Sequence, residues 1–233
     1  MNLGVLLPFL FFFAPPPSEQ TPSQIAHALE ARYRHAQTLK ATFLETYHDG
    51  NGGFSAESGT VYFSRPGRMR WEYESPQQKL FLVDGANAWF YIPADRTASR
   101  AKFKDSSDWR TPLALLAGQA NLSHLCRALE IVPESQRQAR EEGEISGAGL
   151  PVLRCLPRIT SDDSGNPVRE ILLEVDAEAR LSGVRIREAG DWEMAFRFAN
   201  WEQNILIPEV KFHFLPPPGV SIVDESALAG AIH

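Results

Sequence analysis

The hydrophobic residues of this chain change their spacing twice, and each change marks a new kind of element. Thr21 precedes Pro22, a hydroxyl cap in front of a proline at the first helical position. Ile25, Leu29, Tyr33 and Ala36 follow at near-helical intervals, which predicts an amphipathic helix over 22–40 with one apolar stripe. The period then drops to two. Ala41, Phe43, Glu45 and Tyr47 alternate with Thr42, Leu44, Thr46 and His48 as a strand, and the Asp49–Gly53 stretch that follows is a turn.

Strands then succeed one another at short intervals. Thr60–Arg65 ends at Pro66-Gly67, Arg68–Glu74 at Ser75-Pro76, Lys79–Val83 at Asp84-Gly85 and Ala88–Ile92 at Pro93, a predicted β-meander. Thr111-Pro112 opens a predicted helical stretch to about Leu129, with Leu113, Leu115, Leu116, Leu122, Leu125 and Leu129 as its apolar positions and Pro133 as its stop. Strands return at Leu150–Leu156, Arg169–Val175, Leu181–Arg187, Trp192–Phe198 and Val210–Phe214, with a turn at 162–167. Nine or ten antiparallel strands with helices at the start and in the middle predict an α+β fold. Its favoured form is an incomplete, half-open antiparallel β-barrel with a helical lid.

The strand faces are unequal. Met69, Trp71 and Tyr73 point one way and Arg68, Arg70, Glu72 and Glu74 the other, the mark of a sheet wetted on one side. Trp192, Met194, Phe196 and Phe198 repeat the pattern opposite Glu193 and Arg197, and Val210, Phe212 and Phe214 opposite Lys211 and His213. Such rings either fill an ordinary packed core or line a cavity closed by the Leu-rich stretch, and the pattern alone does not choose. If a cavity exists, its candidate lining is Phe43, Val61, Phe63, Met69, Trp71 and Tyr73 from the first strands. Trp89, Tyr91, Leu113 and Leu116 would join from the middle of the chain, and Trp192, Met194, Phe196, Phe198 and Phe212 from its end. Arg65 shares the apolar row of Val61 and Phe63, so its guanidinium either escapes to water at the strand end or donates to carbonyls of the lid.

Composition narrows the function classes. The formal charge of −6 with no Lys/Arg run argues against nucleic acid and against an anionic leaflet. The apolar run Leu3–Phe13 before Pro15-Pro16-Pro17 is far shorter than a membrane span. It fits the h-region of an export signal, so residues 1–17 are expected to be signal and leader and 18–233 one domain. Cys126 and Cys155 either close a disulfide in an oxidising compartment or act as two small buried thiols. No metal-ligand spacing, nucleophile elbow or His–carboxylate relay is present, so neither metal, cofactor nor enzymatic activity is expected.

Several stretches together resemble the periplasmic outer-membrane lipoprotein carrier family of the LolA type. They are Gly59–Tyr73 with its RPG and RWEY motifs, Ser75-Pro76, Leu82–Tyr91, Thr111–Gly118 and Phe214–Val220. The resemblance implies a monomeric periplasmic carrier that takes acylated lipoproteins from an inner-membrane ABC release complex and passes them to an outer-membrane acceptor. It also implies that Arg65 is the barrel arginine that latches the lid. The chain departs from the family in its two cysteines, its proline-rich leader and a charged connector at Pro133–Glu144. Carriage of glycolipid or another lipid, and a lipoprotein-sensing regulatory protein of the same half-barrel, are the alternatives.

Overall fold

The computed structural model of the chain describes residues 20–102, 121–138, 150–158 and 168–224. Thr21 starts helix α1 (Pro22–Arg34) as expected: its hydroxyl accepts from the Gln24 N–H, and the Gln24 side chain accepts from the Thr21 N–H at 2.8 Å. The helix stops three residues before strand β1 (Thr38–Asp49) rather than running to 40. Ala36 and Leu39 fit the helical spacing, but Leu39 equally begins the alternation through Ala41 and Phe43. Ladders on both sides of β1 decide for the strand.

The meander follows as β2 (Phe54–Ser64), β3 (Arg68–Ser75), β4 (Lys79–Val83) and β5 (Asn87–Ile92). Next come β6 (Thr97–Lys102), a short helix α2 (Leu122–Leu125), β7 (Cys126–Ile131), another short helix α3 (Glu134–Gln138) and β8 (Val152–Pro157). Strands β9 (Val168–Val175), β10 (Leu181–Glu188), β11 (Trp192–Gln203) and β12 (Ser221–Asp224) complete the described elements. These twelve strands form one sheet in the order β12-β6-β5-β4-β3-β2-β1-β11-β10-β9-β8-β7. All neighbours are antiparallel except β12 and β6, which run parallel, and β12 and β7 remain as separate edges, so the sheet does not close.

Three expectations are corrected. Residues 126–131 form β7 instead of continuing a helix to Leu129: Leu122, Leu125 and Leu129 keep helical spacing, but the chain from Cys126 pairs with β8. The expected strand Val210–Phe214 is a single 3-10 turn at Glu209–Phe212. Pro208 before it and Pro216-Pro217-Pro218 after it cannot donate to a ladder, so its alternation never enters the sheet. Strands β6, β7 and β12, absent from the sequence reading, lack a clean apolar alternation; β6 reads TASRAK. The expected signal segment and residues 111–120 of the expected helical stretch lie outside the described residues, as does the turn at 162–167.

The sheet has two unlike faces. The inner face carries the main core and is covered by Ile25, Ala26, Leu29 and Tyr33 of α1. On the outer face, the segment after β11 crosses the meander and seats Phe212 among Leu80, Leu82 and Trp89. Arg68 holds Glu209 at 2.9 Å, and Lys211 binds Glu72 at 3.1 Å, which fixes this strap before it reaches the sheet edge as β12. Outside β8–β11 the covering is ionic: Arg154 pairs with Glu170 at 2.8 Å, Glu170 with Arg187 at 2.9 Å, and Arg187 with Glu193 at 2.6 Å. Cys126 and Cys155 are joined by a disulfide that ties edge strand β7 to β8.

The turn between β9 and β10 places Ala179 at φ 57, the left-handed region that favours glycine. There the Asp176 N–H donates to the Arg180 carbonyl at 2.9 Å and the Ala179 N–H to the Asp176 carbonyl at 3.0 Å, so the conformation is imposed by the turn. A left-handed alanine costs roughly 1–2 kcal/mol, offset in part by the greater unfolded-state freedom of glycine. Ala179→Gly is therefore expected to stabilise by about 0.5–1 kcal/mol, a rise of roughly 1–3 °C in Tm. A thermal melt with an unchanged or lowered midpoint would contradict this.

Candidate functional site: the aromatic inner face and its cover

Register brings the inward rings together from distant parts of the chain. Phe43 on β1 stands opposite Phe198 on β11, Val61 on β2 opposite Trp71 on β3, and Trp71 opposite Phe81 on β4. Trp71 is the centre of the group. Its ring lies 4.9 Å from that of Phe43 and 5.4 Å from that of Phe196, edge to face in both cases, and 6.1 Å from Phe63. Such pairs add about 0.5–1.5 kcal/mol each beyond the area they bury. Eight of the candidate lining residues (Phe43, Val61, Phe63, Met69, Trp71, Tyr73, Phe196 and Phe198) are buried here in one cluster with α1. Met194 packs against its margin, while Trp192 stands farther along β11, half-buried, with its ring 5.4 Å from Tyr47.

Trp89, Tyr91 and Phe212 do not belong to this group. Register places Trp89 and Tyr91 on the outer face, where they meet Phe212 and Phe214 of the strap. The Trp89 indole donates to Asp84 at 3.0 Å. Burial pushes the Asp84 carboxyl up, but donors from Asn87, Trp89 and Ala86 outweigh it and leave the pKa lowered. β5 misleads because both its faces are covered: Ala88, Phe90 and Ile92 are as apolar as Trp89 and Tyr91, so alternation vanishes. The true inward residues of β4 and β5, Phe81, Val83, Ala88 and Phe90, were missed for the same reason. Leu113 and Leu116 lie outside the described residues.

One inward residue is acidic. Glu45 is 6% exposed between Phe43 and Tyr47, and its carboxylate accepts from the Tyr73 hydroxyl at 2.7 Å. Beside it the Lys79 ammonium binds Glu57 at 2.5 Å and sits 5.0 Å over the Tyr73 ring. A glutamate on the apolar register of β1 was the available signal for this polar patch.

The cover is held from two directions at its C-terminal end. The last carbonyls of a helix have no partner within it and carry the negative end of its dipole. Arg65, at the start of the β2–β3 turn, donates to two of them: Nη2 to the Tyr33 carbonyl at 2.6 Å and Nη1 to that of Arg34 at 3.0 Å. Burial lowers the Arg65 pKa from its ordinary value, and the guanidinium stays charged. From the other half of the sheet, the Leu181 N–H at the start of β10 donates to the Tyr33 hydroxyl at 3.0 Å. The Leu181 carbonyl in turn accepts from the Trp201 indole at 2.9 Å. At mid-helix, Glu30 accepts from the Leu122 N–H at 2.8 Å, which ties α2 to α1.

Comparison with known proteins places this arrangement. The family model described as "Outer membrane lipoprotein carrier protein LolA" matches residues 34–141. The outer-membrane lipoprotein carrier protein of Nitrosospira multiformis is 27% identical over 199 residues, covering 85% of this chain and 87% of that protein. That of Methylococcus capsulatus is 28% identical over 222 residues, covering 95% and 96%. The chain is thus similar to the LolA-type lipoprotein carriers. Its LolA-matching span runs through β1–β7 and includes both Arg65 and Trp71. Among solved structures, an uncharacterized conserved protein from Thermus thermophilus superposes with a TM-score of 0.52 at 12% identity, covering 87% of this chain and 98% of that one. That likeness concerns the fold alone.

Tyr33 gives the cover a measurable signature. Burial, the largest cause, pushes its phenol up to about 12 against the lowering effect of the Leu181 N–H. The unfolded phenol ionises near 10, so between pH 10 and 12 the unfolded chain holds fewer protons than the native one. Stability from this group is complete below pH 10 and is lost as pH rises to 12, by about 3 kcal/mol in total. Tyr33→Phe leaves the Leu181 N–H unpaired at a cost of roughly 1–3 kcal/mol near neutrality. Denaturant titrations should therefore show a steeper alkaline decline in the native protein than in Tyr33→Phe, and parallel declines would rule this origin out.

Proposed function

We propose that this chain is an exported carrier of the LolA type that holds the acyl chains of lipoproteins against its inner aromatic face, beneath α1, and moves them between membranes. The observation that carries the reading is the pairing of a largely apolar, ring-rich face with a cover held at its helix end by Arg65. The Cys126–Cys155 disulfide supports an oxidising compartment, which suits a periplasmic location. On this reading the donor is an inner-membrane ABC release complex and the acceptor lies at the outer membrane. The protein binds and releases its cargo without transforming it.

Energetics favour partial enclosure. Burying a methylene yields about 0.8 kcal/mol, so three long chains of ~45 methylenes represent roughly 35 kcal/mol of gross transfer. Non-covalent affinities saturate near about −20 kcal/mol. A carrier that must let go therefore shields only part of its cargo, and the work of detaching Arg65 from α1 lowers the affinity further. Loading then needs an energised donor, while unloading needs only a more favourable acceptor.

Arg65→Leu removes that opposing work. It is expected to slow loss of bound lipid to acceptor vesicles by about tenfold or more, each tenfold being ~1.4 kcal/mol. An unchanged release rate would remove the latch. The cargo itself is identified by lipid extraction and mass spectrometry of protein recovered from its own periplasm. Triacylated peptide is the expected species, and free glycolipid in its place would replace lipoprotein as the cargo.

A further inference from the structure

Trp71 is fully buried at the centre of the inner face, and its indole Nε1 has no hydrogen-bond partner. Its neighbours there are the rings of Phe43, Phe63, Phe196 and Phe198, which offer an N–H only a weak π contact. Buried indoles ordinarily find an acceptor. This chain supplies one where tryptophan has a purely structural place: Trp89 donates to Asp84 at 3.0 Å and Trp201 to the Leu181 carbonyl at 2.9 Å. Of these three described indoles Trp71 is the exception, and on the carrier reading it stands on the face that cargo would meet.

We propose that the Trp71 N–H is the donor that receives the carbonyl oxygen of the cargo's acyl linkage, so that the site prefers acyl lipids over alkyl lipids of the same length. The inference rests on the carrier reading and deepens it by naming the chemical class. A hydrocarbon slot alone separates chains poorly, whereas a fixed donor in an apolar surround discriminates by the presence of its acceptor. Ester and amide linkages carry a carbonyl at the head of each chain; an ether carries none. The Trp71 N–H is fully buried, so a carbonyl that reaches it gains the bond without displacing water from the indole.

The test compares 1-palmitoylglycerol with 1-hexadecylglycerol, which share head group and chain length and differ at the carbonyl. With the full-length protein, the ester is expected to bind roughly three- to tenfold more tightly, the range of one neutral hydrogen bond. The Trp71 indole proton should move downfield in NMR spectra with the ester and stay in place with the ether. Trp71→Phe should bring the affinity ratio to about one, since any packing loss falls on both ligands alike. If that variant does not fold, the native ratio and the indole shift still decide. Equal affinities with an unmoved indole proton would overturn the proposal while leaving the carrier reading intact. Binding of neither lipid would bring down both.

Discussion

An open sheet with one apolar face cannot remain bare in water, and among the described residues helix α1 lies over it. What fixes that helix is concentrated in one residue. The backbone carbonyl of Tyr33 receives Arg65 from the β2 side, and its hydroxyl receives the Leu181 N–H from the β10 side. Tyr33 thereby joins two parts of the sheet separated by β1 and β11. The bonds differ in kind. One is charge-assisted and made by a flexible side chain; the other is neutral, buried and made to fixed backbone.

The two faces of the sheet are protected by different chemistry. Over the meander the outer face is apolar and needs the strap carrying Phe212, whereas over β8–β11 it is closed by arginine–glutamate pairs and needs nothing further. These pairs are partly buried, and their charges keep that half of the sheet wettable. The inner face alone is left to bury its rings against each other and against α1.

This division explains what the sequence could tell and what it could not. Strands β3, β10 and β11 were legible because polar and apolar residues alternate on them, and Arg65 stood out because it interrupts such a row. Strands β4 and β5 were found but their facing was not, since KLFLV and NAWFYI are covered on both sides and carry no period. Leu129 satisfied a helical repeat and a strand repeat at once, and only pairing with β8 settled it. Phe212 and Phe214 alternated without belonging to any sheet, a case where neighbouring prolines were the better guide. The open fold and most of the ring cluster could be read from pattern, and family resemblance pointed to Arg65 as a donor to carbonyls of the cover. The acceptors that leave Trp71 apart from Trp89 and Trp201 became visible only in three dimensions.

The margins of the sheet carry a consequence of their own. Unpaired strand edges invite pairing with foreign chains, and a barrel that never closes has two of them. Here β6 is shielded by β12, laid alongside it and tied by Arg100 to Asp224 at 2.7 Å, while β7 is stapled to its neighbour through Cys126. The tail and the staple thus act as selvages. They hold the two end strands to the body of the sheet, so that neither margin frays even though each still presents one open edge.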